Sequence, residues 1–248
     1  MNFEFTEEQL MLAETARKLG EKFGLDYWRD LDAGKAFPSE IWQAICDAGL
    51  CGIAVPEAYG GSGLGMLDMA IAVENLCAAG GGVTLSQMFM LNPIFGGVTL
   101  TRLANDEQKA EMLPKLCSGE LMFAMGLTEP NAGSNSLEIE TFAEADGASD
   151  GSQGWRLTGQ KIWITAVPQA HKLLVIARTK KLADSKGKTD GLSLFVIDRE
   201  RDGLTHQAID KLGTRTLPSS LIFFDNGRVA PDELVGPLHG GFRDLLDV

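Results

Sequence analysis

The sequence predicts an α+β chain of two domains, an all-helical domain followed by a β-barrel or sandwich, and one change of pattern carries that reading. Up to about residue 120 the apolar residues recur at helical spacing. From about residue 123 they alternate with a period of two, in short β-rich runs separated by turn residues. The 248 residues, 44% hydrophobic and 23% charged, are enough for two ordinary domains with packed cores. The change of period places a helical domain over 1–121 and a β domain over 122–235, with 236–248 expected to open a third, helical domain.

The elements follow in order. Thr6-Glu7-Glu8-Gln9 fits a capping box, and the helix it opens places Leu10, Ala13, Ala16, Leu19, Gly20 and Phe23 on one face. A second helix begins at Ser39 after Pro38 and stops at Gly49. Residues 56–65 form a glycine-rich loop. Helical pattern resumes over 67–79, halts at Gly80-Gly81-Gly82, and continues over 84–91, 93–103 and 106–116. Strands are expected at 123–127, 139–145, 155–157, 161–165, 172–179, 192–197, 204–209 and 221–224. After Gly240-Gly241 the pattern of a new helix begins and the sequence given ends, which is read here as an N-terminal portion of a longer protein.

A net charge of −12 argues against non-specific nucleic-acid binding, yet it leaves room for an anionic cofactor held by backbone N–H groups. No apolar run approaches the roughly 20 residues of a membrane helix, so no membrane span is expected. Glu4, Glu7 and Glu8 with no basic residue before Gln9 are unlike a targeting leader, and a cytoplasmic location is expected. Cys46, Cys51, Cys77 and Cys117 are irregularly spaced in apolar helical surroundings, the setting of buried reduced thiols. His171, His206 and His239 lack ligand spacing, so no metal site is expected.

The most informative run is Met125-Gly126-Leu127-Thr128-Glu129-Pro130-Asn131-Ala132-Gly133-Ser134-Asn135: a strand entering a tight loop whose N–H groups and hydroxyls can face a phosphate or a flat heterocycle. Most Gly/Ser/Asn loops are simply turns. Further on comes Gly159-Gln160-Lys161-Ile162-Trp163-Ile164-Thr165, where a two-residue period puts Trp163 and Thr165 on one face. That pairing reads either as a core tryptophan on a barrel strand or as an aromatic and a hydroxyl offered to a ring.

These two runs together, behind a helical domain, resemble the acyl-CoA dehydrogenase family, whose motifs read Thr-Glu-Pro-Gly-Ala-Gly-Ser-Asp and Trp-Ile-Thr-Asn. The chain keeps Thr128, Glu129, Pro130, Ala132, Gly133 and Ser134 with Asn131 and Asn135 replacing Gly and Asp, and keeps Trp163, Ile164 and Thr165 with Ala166 replacing Asn. Phe5-Thr6-Glu7-Glu8-Gln9, Val55-Pro56-Glu57-Ala58-Tyr59-Gly60-Gly61, Leu116-Cys117-Ser118-Gly119-Glu120 and Lys211-Leu212-Gly213-Thr214-Arg215 extend the likeness over nearly the whole chain.

The resemblance implies FAD as cofactor, bound by Met125, Gly126, Leu127, Thr128, Gly133, Ser134, Trp163, Ile164 and Thr165. Thr128 would bond the pyrimidine side of the isoalloxazine and Thr165 its N5. Ser134 would lie at the pyrophosphate and near the CoA arm of the substrate, and Trp163 over the dimethylbenzene end. It further implies dehydrogenation of an acyl-CoA to a trans-2-enoyl-CoA, as in fatty-acid β-oxidation, an electron-transferring flavoprotein as acceptor, and a homo-oligomer, commonly a homotetramer. The family's base is a Glu of a C-terminal helical domain, expected outside this sequence, so no catalytic residue is named within it. Glu129 is expected to be structural. A non-catalytic flavin-binding or assembly subunit and a same-fold oxidase or monooxygenase are the alternatives.

Overall fold

The structure, a computed structural model, describes residues 4–246. It divides into two compact units. The helical unit runs to Thr101 and includes Lys109–Leu121 and Leu212–Leu217. The β unit comprises Arg102–Gln108, Met122–Lys211 and the chain from Pro218 on. The cut expected at 121/122 falls where the main run of the β unit begins, while Arg102–Gln108 group with the β unit, Leu212–Leu217 with the helical unit, and the residues from 236 with the β unit.

In the helical unit, α1 (Glu7–Glu21) starts on the expected box: Gln9 N donates to Thr6 Oγ1 at 3.2 Å and Thr6 N to Gln9 Oε1 at 3.1 Å. Ala16, Leu19 and Gly20 are buried, whereas Leu10, placed on the same face by the sequence, is exposed in the first turns. Gly20 admits close approach, since a Cβ there would lie 2.7 Å from that of Ala79. The helices expected from the sequence do not include α2 (Leu25–Gly34), none of whose residues is fully buried. Asp32 on α2 accepts from the main-chain N–H and guanidinium of Arg215, which ties the 212–217 segment to this unit.

α3 (Ser39–Asp47) buries Ile41, Trp42, Ile45 and Cys46. α4 (Met66–Leu76) leads to Gly80, whose φ of +128° breaks the helix before α5 (Gly82–Phe89). A π-helical stretch with Pro93 inside, Met90–Val98, then runs into α6 (Thr99–Leu103), followed by α7 (Asp106–Cys117). Taken as one run, Met66–Leu103 is long and apolar enough to cross a membrane by length and composition, contrary to the sequence expectation. It nevertheless supplies much of this unit's core, including Met69, Ile71, Leu76, Leu85 and Phe89. Cys46, Cys51 and Cys117 are buried and unbridged, and burial pushes the Cys117 thiol up to about 11.

The β unit is one eight-stranded sheet in the order β6-β7-β3-β2-β4-β5-β8, with β1 paired parallel to β4. The strands are β1 (Phe123–Gly126), β2 (Phe142–Ala145), β3 (Trp155–Thr165), β4 (Lys172–Arg178), β5 (Leu192–Asp198), β6 (Leu204–Ile209), β7 (Ser219–Val229) and β8 (Leu234–Val235). The two runs expected at 155–157 and 161–165 are thus one strand, and of the run expected at 139–145 only Phe142–Ala145 is strand. Buried residues of one cluster include Trp155, Leu157, Ile164, Val175, Phe195 and Phe224, with Trp155 edge-on to Phe195 at 5.1 Å. α8 (Gly241–Leu246) starts where Gly241 lies against β5; a Cβ there would meet Leu194 N at 2.8 Å.

Candidate functional site

β1 carries the chain into the loop at 127–134, and that loop is locked from within. Glu129 N donates to Ala132 O at 3.0 Å and Ala132 N to Glu129 O at 3.1 Å, closing a tight turn around Pro130 and Asn131. The Glu129 side chain turns inward, 5% exposed, and accepts from Glu140 N at 2.7 Å, Thr141 N at 3.0 Å and Lys161 Nζ at 2.7 Å. Lys161, fully buried, also donates to Leu127 O at 3.1 Å. From β3, Ile162 N donates to Thr128 O at 2.9 Å. A buried carboxylate with three donors is a structural hub.

Electrostatics agree with that role. Burial pushes the Glu129 carboxyl upward, but the Lys161 charge beside it and the hydrogen bonds it accepts outweigh burial and hold it below the ordinary carboxylate value of 4.5. Burial draws the Lys161 ammonium down to about 8 against the attraction of Glu129. Lys161, Glu140 and Thr141 were not among the residues expected from sequence. The only signal for Lys161 is its place in the core-facing alternation with Trp155 and Leu157, an odd position for a cation.

β3 changes face at this point. Its pairing with β7 shifts between Leu157 and Gly159, where β7 carries the extra residue, and shifts back between Lys161 and Ile164, where β3 does. The second bulge contains Trp163 at φ +62°. Without it, strict alternation would send Trp163 and Thr165 to the core side with Lys161. With it, Ile164 enters the core, Trp163 stands 56% exposed and Thr165 is half-buried. A two-residue period alone would also put Trp163 and Thr165 on one side; the bulge decides that this side is not the core side. Trp163 and Ala166, at φ +62° and +60°, bracket Thr165 in left-handed backbone, a conformation that costs about 1–3 kcal/mol and concentrates at ligand sites.

The other expected residues fall into two groups. Thr128 is half-buried and Gly133 and Ser134 are exposed, and the hydroxyls of Thr128, Ser134 and Thr165 carry no hydrogen bond to another described residue. Gly126 is buried, Met125 and Leu127 are half-buried, and the Ile164 side chain belongs to the core, so these would contribute through main chain. The cavities of about 560, 350 and 90 Å³ in this unit include none of the expected flavin residues, which instead present an open face. Unpaired hydroxyls and an exposed indole are a donor set suited to a flat, acceptor-rich ring and its phosphates. Among the described residues no group of three or more His, Cys, Asp or Glu could hold a metal ion.

Comparison with known proteins places these features in context. Residues 6–120 match the family described as acyl-CoA dehydrogenase, N-terminal domain, and residues 124–227 the acyl-CoA dehydrogenase middle domain. FadE12, an acyl-CoA dehydrogenase of Mycobacterium tuberculosis, is 30% identical over 241 residues, covering 97% of this chain and 59% of its own length. A solved glutaryl-coenzyme A dehydrogenase–glutaryl-CoA complex superposes with a TM-score of 0.90 at 30% identity, covering 99% of this chain and 60% of that one. PigA, solved with FAD and proline, superposes at 0.89 with 26% identity, covering 100% and 62%. The chain therefore spans about three fifths of the proteins it matches.

Proposed function

The chain belongs to the acyl-CoA dehydrogenase family by its N-terminal and middle domains, and from that premise we propose that it carries the FAD-binding part of an enzyme converting an acyl-CoA thioester to its trans-2-enoyl-CoA. The observation that carries the reading is that the unpaired hydroxyls of Thr128 and Ser134 on the loop, and of Thr165 beside exposed Trp163 on the bulged strand, lie on two segments tied by the Ile162 N–H to Thr128 O bond. Bound there, FAD supplies the two-electron acceptance that no side chain can provide.

The chain's own residues hold and orient. With FAD bound, Thr128 and Thr165 would donate to the ring and Ser134 to the pyrophosphate, while the Trp163 indole would cover a ring edge and keep water from it. Glu129 takes no part in proton removal, because a base must reach the substrate's α-carbon and this carboxylate is turned inward onto three donors. The α-proton acceptor is proposed to be a carboxylate from sequence outside residues 1–248, as in the family, and the electron acceptor an electron-transferring flavoprotein.

The test is spectroscopic. The protein as encoded by its gene is expected to purify with an oxidised-flavin spectrum that bleaches anaerobically on titration with acyl-CoAs of increasing length, the best chain length giving the fastest bleaching. Absence of a flavin spectrum after FAD addition would refute the reading. Rapid reoxidation by O₂, rather than by a flavoprotein or dye acceptor, would assign an oxidase instead.

A further inference from the structure

We propose that Lys161 is a positioning residue for the flavin: its side chain holds the Leu127 carbonyl on one side of Thr128 and the Glu129 carboxylate on the other, while its own strand sets the bulge that presents Trp163 and Thr165. The inference rests on the FAD reading above and adds a residue that contacts no part of the cofactor.

The geometry is specific. Lys161 Nζ reaches Leu127 O at 3.1 Å and the Glu129 carboxylate at 2.7 Å, the residues immediately before and after Thr128. The next residue of β3, Ile162, donates its N–H to Thr128 O at 2.9 Å. Residues 127 and 129 are therefore bonded from Lys161, and residue 128 from its neighbour Ile162. The register of β3 shifts directly after Lys161, so the residue that clamps the loop is also the last in register before the bulge. The two parts of the open face, one from the loop and one from β3, are held to each other here.

A purely structural reading makes a different prediction. Replacing a buried ion pair by neutral groups of similar volume is often neutral or stabilising, because neither charge must then be stripped of water. If the pair served only to fill the core, a neutral pair of the same shape should support the same site. If it sets the position of Leu127 and Thr128, the fold should survive and the cofactor should report the loss.

The experiment uses the protein as encoded, with the double substitution E129Q/K161M, in which Gln retains one acceptor oxygen for either Glu140 N or Thr141 N, which donate to different oxygens of Glu129, and Met fills the lysine's volume without charge. The expected result is native circular dichroism and cooperative unfolding, with FAD bound at least about tenfold more weakly, displaced flavin absorption bands and a changed flavin reduction potential. FAD affinity within about twofold of the parent, with unchanged bands and potential, would overturn the proposal. Should the double variant not fold, K161R decides: the charge stays but a planar fork replaces a point donor, so folded protein with weakened FAD supports positioning and parental FAD binding overturns it. A parent that takes up no FAD would remove the functional reading and this inference with it, whereas a parent and variant that bind equally well would remove the inference alone.

Discussion

Glu129→Ala is expected to destabilise the β unit by about 3–5 kcal/mol, which lowers the melting temperature by roughly 2–4 °C per kcal/mol for a chain of this size. The loss has two sources. Lys161 remains fully buried without its counter-charge, and the N–H groups of Glu140 and Thr141 lose their acceptor. Glu129→Gln keeps an acceptor oxygen and should lose less. Denaturant unfolding of the three proteins checks the order parent, Gln, Ala. The same carboxylate sets a pH dependence. Its folded value lies below the ordinary 4.5, so the unfolded chain binds the proton first on acidification. The stability it contributes is complete above about 4.5 and is lost as pH falls through the folded value. The acid slope of stability should be shallower in Glu129→Gln, and an identical slope would contradict an ionised, paired carboxylate.

The second large effect is expected at Gly159→Ala, at roughly 2–5 kcal/mol. Gly159 sits at φ +145°, outside the range of ordinary L-residues, and a Cβ would lie 2.6 Å from Thr141 Oγ1 and 2.7 Å from Thr141 Cα. Relief would require Thr141 to move, and Thr141 N is one of the three donors on Glu129 while its hydroxyl bonds Gln160 O at 3.3 Å. The strain therefore reaches the loop clamp. Gly133→Ala is the matched control: φ there is not left-handed and a Cβ meets nothing within 4 Å, so its stability should stay within about 0.5 kcal/mol of the parent. Equal destabilisation by the two substitutions would show that the contact at Thr141 is not what matters.

Much of the fold was legible because local chemistry and long-range packing agree. The Thr6–Gln9 box, the break at Gly80 and the change of period near residue 121 are each short-range signals, and each marks a real feature. The hydroxyl-bearing loop was legible for the same reason. What could not be read is what arises from pairing. The bulge at Trp163 exists only as a mismatch between β3 and β7, and no residue of β3 announces it. Lys161 looks like a surface cation until Glu129, far away in sequence, is seen beside it. The segment 212–217 joins the helical unit through contacts that include Arg215 with Asp32 and Thr216 with Thr84, which leave no periodic trace.

The most direct test of the site is the dissociation constant for FAD of the protein as encoded, compared with that of Thr128→Val/Thr165→Val. Valine keeps the β-branched shape and removes only the hydroxyl. Since a hydrogen bond contributes about 0.5–1.5 kcal/mol net, two of them to one flavin give an expected weakening of roughly 10- to 100-fold, with shifted flavin bands and unchanged unfolding. Parental affinity and parental bands in the double variant would contradict a flavin held by both hydroxyls.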